Sequence, residues 1–579
     1  MKQLLSGNEA IARGAYEADA KVAVGYPGTP SSEILENIVK YEGIKAQWAP
    51  NEKVALEVAA GASLGGARTI VTMKHVGLNV AADPLLTLSY TGVNGGLVII
   101  CADDPGMHSS QNEQDTRMYA LFAQVPLLEP ATSEEARQYM RLAFELSEQY
   151  DTPVILRSNT RLSHSKTVVT FGEKSAVPNK PYKKDMAKYV MLPANAKARH
   201  TKVLERMERL AEDAVDSPVN TVHWGTKDVG IITSGIAYQY VKEAAPQLSI
   251  LKLGLVHPLP ERLIRDFAAK VEKIVVVEEL EPFIEMQVKA MGIPCVGKEY
   301  FPREGELSTT LVKQGLAKLG IVEYVSPEIA SSSTELPKRP PALCPSCPHR
   351  GVFYTLQRLR VNVTGDIGCY TLGALPPLGA MDSCLCMGAA VGMAHGWELA
   401  DGEAAQRTVG VIGDSTFLHS GITGLMNTVY NQGTSTIIIL DNSTTAMTGM
   451  QEHPGTGKTL AGQSTYAVDL SKLVEALGVK RVVTVDPYDL EALQRVIKEE
   501  LAAREPSVII TNRPCALLVK FREPAFQVNP DKCTGCKACL RLGCPAISFS
   551  DGRAQIDPVL CTGCSLCAQV CKFDAISQQ

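Results

Sequence analysis

Two runs of cysteine near the end of the chain constrain it more than any other feature. They read Cys533-x2-Cys536-x2-Cys539-x4-Cys544-Pro545 and Cys561-x2-Cys564-x2-Cys567-x3-Cys571. Two-residue spacers let three thiolates of one loop converge on three corners of an iron–sulfur cubane, and the fourth cysteine of each run reaches the other cubane. The spacing predicts two [4Fe–4S] clusters. One falls to Cys533, Cys536, Cys539 and Cys571, the other to Cys544, Cys561, Cys564 and Cys567. Zinc knuckles are the rival reading, but zinc sites seldom come as paired four-cysteine runs ending Cys-Pro.

The other cysteines narrow the setting. Of sixteen in the chain, only Cys101 and Cys295 precede residue 344. The opening residues, Met1-Lys-Gln-Leu-Leu-Ser-Gly-Asn-Glu9, lack the long apolar core of a signal peptide. Clustered cysteines without an export signal point to metal ligands in a reducing compartment, so a cytoplasmic location is expected and a disulfide framework is not. No stretch approaches about eighteen uninterrupted apolar residues, so no membrane span is expected. A formal charge of −5 leaves no basic footprint for nucleic acid.

A chain of 579 residues exceeds one domain. Ser6-Gly-Asn-Glu9 reads as a capping box opening a helix to Ala18. The apolar runs Lys21–Tyr26, Thr69–Met73, Gly96–Cys101 and Pro153–Arg157 look like parallel strands buried on both faces, and the helical stretches between them give a doubly wound α/β pattern over 1–170. Residues 171–225 are polar, rich in Lys and Pro, and read as a connector with one helix. A second α/β unit spans 226–330, with strands at Val229–Thr233 and Lys273–Glu278. Residues 331–342 have linker composition. A third α/β unit runs over 343–522, with strands at Val409–Ile412, Thr436–Asp441 and Val508–Thr511. The cysteine-rich tail occupies 523–579.

After the strand Val409–Ile412 comes Gly413-Asp414-Ser415, and after the next strand comes Asp441-Asn442. A tight turn after a parallel strand can receive a phosphate. Asp414 and the side-chain oxygen of Asn442 are hard ligands suited to Mg2+ between diphosphate oxygens. The pair resembles the thiamine diphosphate signature, in which a backbone carbonyl two residues past the Asn, here Thr444, is the third protein ligand. Ser415 in place of Gly and Asp441 before Asn442 depart from that pattern. An ordinary strand-turn-helix is the competing explanation. Enzymes of this kind also need a Glu held in an apolar pocket to protonate the aminopyrimidine ring. Glu52, in Trp48-Ala-Pro-Asn-Glu52-Lys-Val-Ala-Leu-Glu57, meets the requirement; taken alone it reads more often as an acid stabilised at a helix start, and the motifs around it reverse that weighting.

Gly25-Tyr-Pro-Gly-Thr29-Pro-Ser-Ser-Glu33, Glu52 and Gly413-Asp414 together resemble the 2-oxoacid:ferredoxin oxidoreductases. Cys344-Pro-Ser-Cys347-Pro-His-Arg350 and Asp382-Ser-Cys-Leu-Cys-Met-Gly388 are similar to the α subunits of its indolepyruvate branch. The tail resembles bacterial two-cluster ferredoxins, with one extra residue before Cys544. The resemblance covers essentially the whole chain. It implies several doubly wound thiamine-diphosphate-type α/β domains, pyrimidine-binding over 1–170, transketolase C-terminal-like over 226–330 and diphosphate-binding over 343–522, followed by an α+β ferredoxin-like domain. It implies oxidative decarboxylation of an arylpyruvate in anaerobic amino-acid degradation, with single electrons passing to ferredoxin and the acyl group to coenzyme A. A smaller β subunit in an α2β2-type assembly is implied as partner.

Thr29 matches the family's contact to the substrate carboxylate. Arg117 matches thinly an arginine of pyruvate-specific relatives and reads equally as a solvated surface residue. Met447 stands where those relatives carry a substrate-contacting Asn, and a flexible apolar side chain there suits an aromatic substrate. Several relatives hold a further cluster on a Cys-x2-Cys pair, a Gly-Cys and a Pro-Cys, in the order of Cys344, Cys347, Cys369 and Cys515 here. Buried free thiols are the alternative, and Cys384 and Cys386 compete for the same place. Two other functions remain as rivals: a non-oxidative decarboxylase, which has no use for eight cluster cysteines, and an electron-transfer subunit, which leaves Asp414 and Asn442 unexplained.

Overall fold

In the computed structural model the described residues are 1–325 and 340–578. The chain divides into two compact units, Met1–Ser331 and Ser332–Gln579. Most of the linker expected at 331–342 lies outside the described residues.

In the first unit the capping box forms as its residues dictate. Glu9 N–H donates to the Ser6 hydroxyl at 3.2 Å, Ser6 N–H donates to the Glu9 carboxylate at 2.7 Å, and the helix Gly7–Glu17 follows. The strands Thr69–Lys74, Leu97–Asp103 and Val154–Asn159 are buried at every position. That burial accounts for the apolar runs Ile70–Val71, Leu97–Ala102 and Val154–Leu156 within them. They belong to a seven-stranded sheet in the order 255–257, 127–128, 154–159, 97–103, 69–74, 22–25, 45–48. Its pairings are parallel apart from Leu255–His257, which runs antiparallel to Leu127–Leu128.

A five-stranded sheet, ordered 295–296, 273–277, 226–234, 248–253, 221–223, completes the unit. The two sheets are less separable than the sequence segments suggest. Leu255–His257, from the second α/β segment, finishes the sheet of the first, and one apolar core runs from Val24, Met73 and Ile99 to Ile232, Phe267 and Phe283. The connector 171–225 holds a short helix Met186–Tyr189, the 21-residue helix Pro193–Asp213 and the strand Thr221–His223, which joins the five-stranded sheet.

The second unit is built on six strands in the order 383–384, 362–365, 408–413, 436–441, 507–512, 481–485, every pairing parallel. Gly413 stands in register with Leu440, so the turns leaving Thr408–Gly413 and Thr436–Asp441 emerge side by side at the carboxyl edge of the sheet, where α/β folds bind ligands. The tail contributes two antiparallel pairs, Phe526–Val528 with Ile576–Gln578 and Ile547–Ser550 with Arg553–Ile556. Val352, Phe353 and Leu493 share a core with Phe526, Leu542 and Ile576, so the tail packs on the six-stranded domain.

Candidate functional site

Asp414 opens the short helix after Thr408–Gly413 and is 2% exposed. One carboxylate oxygen accepts from Ser415 N–H at 2.8 Å; the other accepts from Ser443 N–H at 2.9 Å and faces His453 Nε2 at 3.2 Å. Ser443 delivers that N–H from a left-handed conformation, φ 61°, so the turn after the second strand folds back onto the first. Asn442 is buried, and its amide nitrogen contacts His349 Nε2 at 3.3 Å, so the amide oxygen is its acceptor atom, the one able to meet a cation. Thr444 is buried too, its hydroxyl donating to the Gln451 carbonyl at 3.3 Å. Ser415 Oγ lies 2.8 Å from Thr445 Oγ1. A Cβ on Gly413 would stand 2.7 Å from the Tyr370 ring, so only glycine fits there. The donor set of carboxylate, amide oxygen and backbone carbonyl fits a hard divalent cation and a diphosphate.

Three residues of this region were given no role in the sequence reading. His349 and His453 are buried against Asn442 and Asp414, and burial brings the His349 imidazole down to about 4, keeping it neutral. Asp366 accepts from Gly388 N–H and Ala390 N–H at 3.0 Å each, while burial pushes its carboxyl up to about 6. His349 stands in Cys344-Pro-Ser-Cys347-Pro-His349-Arg350, and its spacing from the cysteines was the available clue.

The cysteines of the tail gather as their spacing requires. One cavity is lined by Cys533, Cys536, Cys539 and Cys571, and a second by Cys544, Cys561, Cys564 and Cys567. Among the described residues no three His, Cys, Asp or Glu side chains converge on a point that would hold a single ion. A cubane asks for something else, one thiolate at each iron corner around a cavity. Cys344, Cys347, Cys369 and Cys515 are also neighbours. Burial pushes the Cys347 thiol up to about 12, with Cys344 and Cys369 adding to the shift, and the Cys369 thiol up to about 11, with Cys344 and Cys515 adding. Cys515 N–H donates to the Asn442 carbonyl at 2.9 Å. Arg350 fastens the Cys344 loop to the tail, donating to the carbonyls of Leu343, Cys344 and Leu542 at 2.6, 2.9 and 2.6 Å. Cys384 turns elsewhere, toward the Asp366 carbonyl at 3.5 Å, with Cys386 beside it.

In the first unit Glu52 is the first residue of the helix Glu52–Leu64, capped by Asn51, whose side chain accepts from Val54 N–H at 2.9 Å. Glu52 is 5% exposed and packs on Gly77, where an added Cβ would stand 2.7 Å from its Cγ. Thr29 is half-buried; its carbonyl accepts from Ser109 Oγ at 3.3 Å, and the Lys74 ammonium donates to the Ser109 carbonyl at 2.7 Å. Arg117 corrects the sequence reading on both counts. It is neither solvated nor free to meet a substrate, being 1% exposed. Its guanidinium donates to Asp115 at 2.6 Å, to Glu278 at 2.7 Å and to the carbonyls of Glu279 and Glu281. It therefore ties the helix Thr116–Ala123 to the segment following Lys273–Val277.

Comparison with known proteins identifies the family. The family model for pyruvate flavodoxin/ferredoxin oxidoreductase, thiamine diphosphate-binding, matches residues 13–223. That of the thiamine pyrophosphate enzyme C-terminal TPP binding domain matches 366–511, and that of the 4Fe-4S binding domain matches 554–577. Indolepyruvate oxidoreductase subunit IorA of Pyrococcus abyssi is 42% identical, over 99% of this chain and 96% of that protein. Its counterpart from Archaeoglobus fulgidus is 43% identical, over 99% and 97%. A solved 2-oxoglutarate:ferredoxin oxidoreductase from Magnetococcus marinus superposes on 55% of this chain and 65% of its own, at 17% identity and a TM-score of 0.47, so the assignment rests on the sequence relatives. With thiamine diphosphate-binding domains, a 4Fe-4S domain and full-length relatives of one kind, the chain belongs to the indolepyruvate oxidoreductase subunit IorA family of 2-oxoacid:ferredoxin oxidoreductases.

Proposed function

We propose that this chain oxidatively decarboxylates arylpyruvates, indolepyruvate above all, with two electrons passing singly to ferredoxin and the acyl group to coenzyme A. The observation that carries the proposal is the bond from Cys515 N–H to the Asn442 carbonyl, which anchors the backbone of Cys515, one of the Cys344, Cys347, Cys369 and Cys515 group, to the turn that carries Asn442. A decarboxylase without an oxidative step has no use for thiolates there. An electron carrier has no use for Asp414 and Asn442.

Bound thiamine diphosphate would supply the nucleophilic carbon for the keto group of the 2-oxoacid. Asp414, Asn442 and the Thr444 carbonyl would hold Mg2+ against its diphosphate, with Gly413 and Ser415 shaping the turn. Glu52 would keep a proton at the pyrimidine nitrogen, aided by its burial against Gly77. Thr29 would receive the substrate carboxylate. Met447, 49% exposed and flexible, suits an aryl group. Two clusters would sit in the tail cavities and a third on Cys344, Cys347, Cys369 and Cys515. The assembly is of α2β2 type with a smaller β subunit, in the cytoplasm; no helix among the described residues is long and apolar enough to cross a membrane.

The test is anaerobic ferredoxin reduction by the chain with its β subunit, comparing indolepyruvate, phenylpyruvate, pyruvate and 2-oxoglutarate. The two aryl substrates should lead in kcat/KM, and a lead for pyruvate or 2-oxoglutarate overturns the assignment. Iron analysis of the reconstituted chain should give about twelve atoms, and a ceiling of about eight removes the third cluster.

A further inference from the structure

Three neighbouring strands of the seven-stranded sheet end side by side next to Thr29. Val22–Gly25 runs into the turn 26–29, Thr69–Lys74 ends on Lys74, and Leu97–Asp103 runs into the loop that carries Asp104, Ser109 and Ser110. The strands are parallel, so their carboxyl ends share one edge of the sheet.

Lys74 lies under that edge, 7% exposed. Its stem runs along Gly28, where an added Cβ would stand 3.1 Å from Lys74 Cβ and 3.9 Å from its Cδ. The ammonium donates to the Ser109 carbonyl at 2.7 Å and to the Ser109 hydroxyl at 3.2 Å. That hydroxyl lies 3.3 Å from the Thr29 carbonyl and 3.4 Å from Asp104 Oδ2. Asp104, buried too, accepts from Ser109 N–H at 2.8 Å, from Ser110 Oγ at 2.6 Å and from Thr160 Oγ1 at 2.7 Å, and stands 3.9 Å from the ammonium. Burial lowers the Lys74 ammonium to about 8, with Asp104 offsetting part of the shift, so it keeps its charge at pH 7.

Tying the 104–110 loop to the strand needs only a hydrogen-bond donor. A charged donor at this depth costs desolvation, and an anion beside it offsets that cost. Asp104 is held by neutral hydroxyl and N–H donors and lies beyond hydrogen-bonding distance of the ammonium, which leaves positive potential at the Thr29 turn for a second anion.

We infer that Lys74 is a positioning residue for the carboxylate of the 2-oxoacid: through Ser109 it fixes the Thr29 turn, and its buried charge favours an anion there. The inference rests on the proposed contact of Thr29 with the substrate carboxylate and adds the charge behind that contact. A cation one residue behind Thr29 also suits the chemistry. The carboxylate loses its charge as CO2 leaves, so a direct ion pair would hold the ground state more tightly than the transition state and slow the step. Lys74 itself exchanges no proton and no electron. The helix that follows it, His75–Val80, carries Gly77, on which Glu52 packs. A substitution that merely disturbed this strand end would therefore lower kcat through Glu52, whereas loss of the charge alone acts on KM.

The test uses the holoenzyme with its β subunit at pH 7 and compares Lys74→Met, Lys74→Arg and Thr29→Val in anaerobic ferredoxin reduction with indolepyruvate. Lys74→Met should raise KM about tenfold or more with kcat held within about twofold, and Lys74→Arg should recover most of the loss. Two inhibitors separate charge from shape. Inhibition by indolepropionate should weaken about tenfold in Lys74→Met while inhibition by its neutral amide stays unchanged. Equal weakening of acid and amide overturns the inference, and so does an unchanged KM in Lys74→Met beside a raised one in Thr29→Val. An unchanged KM in both variants refutes the Thr29 contact as well, so the two failures are distinct. Should Lys74→Met not fold, Lys74→Gln carries the same comparison.

Discussion

Replacing Arg117 by Met leaves two carboxylates in a place without water. Asp115 and Glu278 are both buried around the guanidinium, whose remaining N–H groups satisfy the carbonyls of Glu279 and Glu281. Burial pushes the Asp115 carboxyl up, but Arg117 and Arg157 outweigh it and hold the group below its ordinary range. Burial also raises Glu278, and there Arg117 offsets only part of the shift. Breaking a buried pair of this kind costs about 3–5 kcal/mol, because the orphaned charge remains inside. At about 2.1 cal/mol/K per residue over a unit of residues 1–331, that loss lowers the midpoint of thermal unfolding by about 4–7 °C. The cost should be largest at neutral pH and shrink as the pH falls toward 4, since orphaned acids regain neutrality by taking up protons. Calorimetry of the anaerobic protein measures the midpoint, and steady-state kinetics measure the KM for the arylpyruvate. A lowered midpoint with an unchanged KM is expected. An unchanged midpoint with a KM raised tenfold would restore Arg117 as a substrate contact and refute the argument.

Glu52→Gln should fold and retain thiamine diphosphate while turnover falls on the order of a hundredfold or more; near-normal turnover removes Glu52 from the mechanism. Asp414→Ala should lose Mg2+-dependent retention of the cofactor on gel filtration, and cofactor content equal to the parent would show that the turn was misread. His257 tests burial alone. Both its ring nitrogens lack hydrogen-bond partners, and burial lowers the imidazole to about 4. The unfolded chain binds that proton first, so stability should be full above about pH 6.5 and fall by about 3 kcal/mol as the pH drops to 4. His257→Leu should flatten that part of the pH–stability curve, and an unaltered curve would show that the ring is not held neutral.

Where a few consecutive residues carry the chemistry, the sequence was readable. The Cys-x2-Cys spacers force three thiolates around one cavity whatever surrounds them, and the Ser6 capping box needs only its own helix. Gly413-Asp414 and Asn442 were legible because parallel strands in register deliver their turns to the same edge. Arg117 was not legible, because its decisive partner Glu278 lies 161 residues further on and nothing local distinguishes a surface arginine from a buried one. The short strand Leu255–His257 failed for the same reason: three residues joining a sheet begun more than a hundred residues earlier have no periodicity to detect. The Cys344, Cys347, Cys369 and Cys515 group falls between these cases. Family resemblance named it, with Cys384 and Cys386 of Ser383–Gly388 left as competitors for the same place. What separates them is topological. Cys384 ends the edge strand Ser383–Cys384 and turns to Asp366, whereas Cys515 follows the central strand Ser507–Asn512, beside Thr436–Asp441, and meets Asn442 as that neighbouring strand ends. Strand order in the sheet thus brings the backbone at Cys515 to the Asn442 turn, and strand order is a long-range property.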